Sequence, residues 1–191
     1  MKYQIIYLNG PSSVGKTTLA KALQEVLDPP FLHIGIDKII GMMPERMNNW
    51  LGGEAPQGFS WKSGVDVDGK PTQELQVGPF ARKVSDSYPE IVALLAQRGH
   101  SLIVDDVGVS DEEFNKWQTL FRNYKVLYVA LKASLPALEQ RERQRGDRII
   151  GSARVFHHKM RFGNRYDIEL DTSELSIEQC VEAILEKGKD F

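Results

Sequence analysis

The segment YQIIYLNGPSSVGKTTLAKAL, residues 3–23, changes period partway along its length. Positions 3–8 form an apolar, β-branched and aromatic run closed by Asn9-Gly10, the pattern of a buried strand. From Lys16 to Leu27 the apolar residues recur at helical spacing, until Pro29-Pro30 end the run. Between the two lies GPSSVGKT, which fits G-x-x-x-x-G-K-[ST] at Gly10, Gly15, Lys16 and Thr17. Such a match carries meaning only between a strand and a helix, and that is where it falls. The turn Gly10, Pro11, Ser12, Ser13, Val14 and Gly15 would curl so that backbone N–H groups face phosphate oxygens, with Lys16, Thr17 and Thr18 opening the helix behind it. Lys16 would reach the β- and γ-phosphates, and Thr17 would offer its hydroxyl to Mg²⁺. The plainer reading is a strand-to-helix turn whose glycines serve sterics alone.

Composition narrows the field. A chain of 191 residues with 41% hydrophobic content can bury one good core, so a single domain over 1–191 is expected. The net charge of −2 supplies no broad basic face, which argues against nucleic acid as a partner and for small molecules. Cys180 is the only cysteine, which rules out an intramolecular disulfide and a multi-cysteine zinc site. The first apolar run is too short for a signal sequence or a membrane span, and a cytoplasmic location with no membrane partner is the expectation. Oligomeric state stays open.

Further strands are expected at FLHIGI (31–36), SLIVDD (101–106), KVLYVAL (125–131) and YDIELD (166–171). Helical patterns separate them, at roughly 80–98, 111–122, 134–145 and 176–187. Apolar strands alternating with helices predict an α/β fold, a mainly parallel five-stranded sheet with helices on both faces. Two segments break the rhythm. Residues 45–79 are rich in glycine and hold Asp68-Gly69, a hairpin signal, and residues 141–165 are crowded with arginine.

In a parallel sheet the carboxyl ends of the strands share one edge, so carboxylates at those ends meet the phosphate loop. Asp105 follows four apolar residues and is the better candidate for the metal shell; Asp106 would point the other way and could touch substrate. Asp37, after FLHIGI, is the candidate general base for an alcohol acceptor, or else a helix cap. Arg141, Arg145 and Arg148 stand at i, i+4 and i+7, so a continuous helix would aim all three at the phosphates, Arg141 toward the nucleotide and the others toward the transferring charge. Glu139 and Glu142 allow a duller view, a solvated and salt-bridged helix. Trp50, Phe59, Trp61 and Phe80 could line a pocket for a flat or apolar acceptor, or serve packing.

The blocks LNGPSSVGKTTLAKALQ, IGIDKIIGMMP, LIVDDV, QRGDRIIG and YDIELDTSELSIEQC, in this order, resemble the chloramphenicol phosphotransferase family of small P-loop kinases. The resemblance implies a three-layer P-loop NTPase fold of nucleoside-kinase type, in which ATP with Mg²⁺ phosphorylates a hydroxyl of a small acceptor. It places Asp37 at the family's base position and the stretch 145–148 in its lid. Residues 48–78 depart from the pattern and look longer than in the antibiotic-modifying enzyme. They should face the acceptor, so the alcohol's identity stays open among phenicols, sugars, nucleotide sugars and nucleosides. A nucleotide-dependent switch is the reading from another class; it needs the phosphate loop and Asp105 but no base at position 37.

Overall fold

The computed structural model describes residues 3–147, 149–160, 162 and 165–189. In chain order the elements are β1 (Ile5–Asn9), α1 (Lys16–Val26), β2 (Phe31–Gly35), α2 (Ile36–Ile40), β3 (Phe59–Val65), β4 (Pro71–Val77) and α3 (Pro79–Gln97). They continue as β5 (Ser101–Asp106), α4 (Asp111–Leu120), β6 (Val126–Lys132), α5 (Leu135–Arg145), α6 (Ser152–Lys159), β7 (Ile168–Asp171) and α7 (Ile177–Lys187), and a 3-10 turn spans Glu45–Met47.

Five strands pair in parallel in the order β2-β5-β1-β6-β7. β1 is central and buried at every position, which is why its sequence is a continuous apolar run with no polar alternation. Its residues still alternate between two cores. Ile6 and Leu8 join Leu19 and Leu23 of α1, Leu138 of α5 and Ile184 of α7. Ile5 and Tyr7 join Val92 of α3 and Phe114 and Trp117 of α4. Helices therefore cover both faces, giving the three layers expected. Each fully buried Leu or Ile in these clusters contributes about 1.5–3 kcal/mol relative to exposure, so this sheet is the stable frame of the molecule. Among the described residues no helix is long and apolar enough to cross a membrane.

The two irregular segments resolve into structure. Residues 59–77 form an antiparallel hairpin, from the pair Phe59 and Val77 to the pair Val65 and Pro71. The Asp66 side chain accepts from the N–H groups of Asp68 and Lys70 and so shapes the turn that Asp68-Gly69 announced. The base of the hairpin is anchored where Phe59 packs on Ile40, Met43 and Ala81.

The arginine segment corrects the expectation of one continuous helical face. α5 ends at Arg145 because Gly146 adopts a left-handed conformation, φ 67°, and stops the helix. Arg148 lies outside the described residues. A helix not expected, α6, follows, and its amino terminus has no local side-chain cap. It is capped from α5: buried Glu142 accepts from Gly151 N at 2.8 Å, Ser152 Oγ at 2.6 Å and Ala153 N at 2.7 Å. A carboxylate at a helix amino terminus is favoured by the helix dipole as well as by these bonds.

Glu142→Ala should therefore leave three buried donors without a partner and cost about 1–3 kcal/mol. The measurement is a urea unfolding curve, in which the midpoint should fall at unchanged slope. An unshifted midpoint would mean that α6 is held by other contacts.

Candidate active site

The parallel register brings Asp105 opposite Leu8 on one side and Gly35 on the other, so the carboxyl ends of β1, β2 and β5 form one edge. The phosphate loop leaves from that edge. Gly10 has no room for a side chain, since a Cβ there would sit 2.6 Å from the carbonyl oxygen of Leu131. Gly15, at φ 102°, turns the chain into α1, whose amino terminus has no side-chain cap and no acidic residue in its first turn. Ser13 Oγ is buried in the loop without a hydrogen-bond partner. A loop with an uncapped helix terminus and an orphaned hydroxyl fits phosphate oxygens.

Lys16 is 7% exposed and donates to the carbonyls of Gly10 at 2.9 Å and Pro11 at 3.0 Å. Its Nζ stands 4.0 Å from Asp105 Oδ1. Burial pushes the lysine pKa down, against the opposing charges of Asp105, Asp37 and Asp106. Thr17 Oγ1 donates to Asp105 Oδ2 at 2.8 Å, and His33 Nε2 lies 3.4 Å from the same oxygen. Burial alone would raise the Asp105 pKa, but His33, Lys16 and Thr17 together hold it below the usual carboxylate range. Among the described residues no group of three or more His, Cys, Asp or Glu could hold a metal. A hydroxyl beside one carboxylate is nevertheless the donor set that suits Mg²⁺, which keeps water and phosphate as its other ligands.

Asp106 faces the other way, as strand alternation requires. Its Oδ2 accepts from Tyr7 Oη at 2.8 Å and Trp117 Nε1 at 2.7 Å. Burial holds its pKa above the usual range despite these donors. Asp37 is the second residue of α2, whose cap position is Gly35 with no side-chain cap bond, so Asp37 is not the helix cap.

Arg141 and Arg145 of α5 line the cavity above this edge, and Arg143, the third arginine of that helix, does not. Arg141 donates to Thr172 Oγ1 at 2.9 Å and Thr172 O at 2.6 Å, and Arg145 pairs with Asp147 at 3.0 Å. The cavity is continuous, about 1400 Å³, and is walled by the phosphate loop, Asp37, Asp105, Asp106 and the hairpin residues Phe59, Trp61, Leu75 and Val77. A single small ligand needs about 300–1,000 Å³, so two can be held together. Trp50 stacks on Phe59 with ring centroids 5.2 Å apart and meets Trp61 edge-on at 6.3 Å, forming an aromatic wall. Phe80, the fourth aromatic candidate, is 40% exposed and not part of that wall. His33 was not singled out from the sequence; its only signal is a polar residue in an otherwise apolar strand.

A family model described as chloramphenicol phosphotransferase-like protein matches residues 3–189. A Mycobacterium tuberculosis protein provisionally named an O-phosphotransferase is 31% identical over 188 residues, covering 96% of this chain and 81% of its own length. Among solved structures, a gluconokinase from Sinorhizobium meliloti aligns with TM-score 0.65 at 14% identity, over 98% of this chain and 93% of its own. Shikimate kinase from Aquifex aeolicus aligns with TM-score 0.55 at 15% identity, over 97% and 96% of the two chains. These likenesses show a shared P-loop kinase fold.

The two adjacent carboxylates should respond oppositely to neutralisation. Asp105 has a depressed pKa when folded, so its stabilisation is full above its unfolded value of about 4 and is lost as pH falls below that. Asp105→Asn should destabilise the protein at pH 7 by about 1–3 kcal/mol, with the gap to wild type closing in acid below about pH 4. Asp106 has a raised pKa, so its ionisation costs stability as pH rises above about 4. Asp106→Asn keeps an oxygen for Tyr7 and Trp117 and should be neutral or stabilising at pH 7. Urea midpoints followed from about pH 3 to pH 7 compare them; a loss of stability in both variants at pH 7 would contradict the assignment.

Proposed function

The chain belongs to the chloramphenicol phosphotransferase-like family, and from that premise we propose that it moves the γ-phosphate of ATP to a hydroxyl of a small molecule. The observation that carries this reading is that Asp37 lines the same cavity as the phosphate loop and the Thr17–Asp105 pair. A nucleotide switch has no need of a carboxylate there.

In the proposed reaction Asp37 orients the acceptor hydroxyl and takes its proton as the new P–O bond forms, while the bond from the γ-phosphorus to the β,γ-bridging oxygen breaks and ADP leaves. No covalent enzyme intermediate is needed. The backbone of 10–15 and the amino terminus of α1 cradle the phosphates, with Thr18 in the first turn behind them. Lys16 exchanges the carbonyls of Gly10 and Pro11 for the β- and γ-phosphates, a better partner for a buried ammonium group. Thr17 and Asp105 are the residues that would hold Mg²⁺, which when bound neutralises charge on the β- and γ-phosphates. Arg145, and Arg148 by its place in the sequence, supply cations to the transferring phosphoryl group, and Arg141 supports the nucleotide side. The aromatic wall of Trp50, Phe59 and Trp61 takes the apolar part of the acceptor. The whole of 1–191 serves as one kinase domain, placed in the cytoplasm, where ATP and Mg²⁺ are at hand.

Acceptor-dependent release of ADP from ATP, screened over phenicols, amino-sugars, nucleosides and simple sugars, tests the reading. Release that no alcohol stimulates would favour the switch. With an acceptor in hand, Asp37→Asn should cut kcat by about 10²- to 10⁴-fold and leave nucleotide affinity unchanged, whereas Lys16→Ala should abolish transfer. Near wild-type turnover in a folded Asp37→Asn protein would remove Asp37 from the mechanism.

A further inference from the structure

The hairpin that carries part of the acceptor wall is fastened at its base to the core around Ile40 and Ala81, but its outer half is fastened to the arginine-bearing segment. The chief fastener is Arg154 of α6. Its Nη1 donates to Asp66 Oδ2 at 2.7 Å, at the hairpin turn, and its Nη2 lies 2.6 Å from Glu139 Oε1 on α5. The Arg154 side chain is 13% exposed, Asp66 8% and Glu139 27%, so the three charges are largely withdrawn from solvent. A planar guanidinium can hold two carboxylates on two different elements at once, which an ammonium group does poorly. Further ties run beside it: Lys159 pairs with Glu74, Gln73 N donates to Gly151 O at 3.4 Å, and Ile149 N donates to Trp50 O at 2.9 Å. On the inner side of the same segment Gln144, Arg145 and Phe156 line the cavity.

We propose that Arg154 is a positioning residue that joins the acceptor wall to the phosphate lid, so that closure of α5 and α6 over a bound nucleotide draws the hairpin in over the acceptor. The inference rests on the reading that the phosphate loop binds nucleotide with Mg²⁺. Arg145 pairs with Asp147, and Arg141 donates to Thr172 and to the Val14 carbonyl of the phosphate loop; the charge of a bound polyphosphate would be a stronger partner for both, so nucleotide favours the closed lid. Through Arg154 that preference is passed along the hairpin toward Trp61 and Leu75, the cross-strand pair that lines the cavity beyond the anchored base. Nucleotide and acceptor then bind cooperatively, each favouring the state the other needs.

Hydrogen exchange of the full chain, read by mass spectrometry with and without the non-hydrolysable analogue AMP-PNP and Mg²⁺, tests this without knowledge of the acceptor. In wild type the analogue should slow exchange in residues 10–18 and also, by about 5- to 100-fold, in the hairpin 59–77. In Arg154→Met the protection of 10–18 should remain and that of the hairpin should fall to little or none. Asp66→Asn is the milder variant should Arg154→Met fold poorly. It keeps the oxygen that accepts from Asp68 and Lys70 and replaces the one that faces Arg154. Arg154→Lys should restore part of the hairpin response. A wild-type hairpin indifferent to the analogue, or a hairpin response that survives both variants, overturns the inference and leaves the nucleotide site standing. No protection of 10–18 in wild type overturns the nucleotide reading and this inference together.

Discussion

Burying the ammonium group of Lys16 is the constraint on which the rest of the site depends. A cation 7% exposed is costly unless oxygens surround it, and here they come from three places. The loop supplies the carbonyls of Gly10 and Pro11, β5 supplies Asp105, and the field of Asp37 and Asp106 adds to both. In the order β2-β5-β1-β6-β7 the end of β5 lies directly beside that of β1 and the end of β2 beside that of β5, so the sheet topology brings to one edge the carboxylates that the buried lysine requires. The carbonyl contacts are weak substitutes for a negative charge. A polyphosphate entering the loop would replace them with the charge that burial demands.

Asp105 and Asp106 show how one strand end can prepare two environments. Alternation turns Asp105 toward Lys16, Thr17 and His33, where cationic and polar neighbours keep it ionised. It turns Asp106 into the aromatic cluster of Tyr7 and Trp117, where only neutral donors meet it and burial prevails. A residue suited to a metal shell and one suited to shaping the cavity wall therefore differ by one step along the backbone. That difference is set by the two-residue period of the strand.

This part of the molecule was legible in the sequence because each signal is local. The phosphate loop, the helix behind it, and Asp37 and Asp105 at strand ends follow from period changes and from the rule that parallel strands end on one edge. What was hidden depends on partners far apart in the chain. Glu142 reads as a charge on a solvated helix face, yet it is 1% exposed because it caps a helix that begins ten residues later. Arg154 reads as one more arginine in a basic stretch, and its partner Asp66 lies 88 residues away. The regular spacing of Arg141, Arg145 and Arg148 suggests a helix that runs past Gly146, although a glycine after a basic last turn is itself a stop signal. Here a local rule was available, and the regular spacing of the arginines obscured it.

The placement of the aromatic wall bears on how such a site could choose an alcohol over water. A carboxylate at Asp37 accepts a proton from either with similar ease, so base strength offers no discrimination. Discrimination has to come from binding energy that water cannot supply, and apolar contact with Trp50, Phe59 and Trp61 is energy of that kind. For such contact to govern the reaction rather than only the affinity, the wall must be in place when the phosphoryl group is ready to move, and not otherwise. A wall rigid with the sheet would be in place at all times. A wall whose outer part is fastened to the lid, as Arg154 fastens the outer half of this hairpin to α5, would come fully into place only as the lid closes. An acceptor that cannot fill the space against the wall would then leave the closed state less favoured, and the γ-phosphate would be less exposed to transfer in its presence.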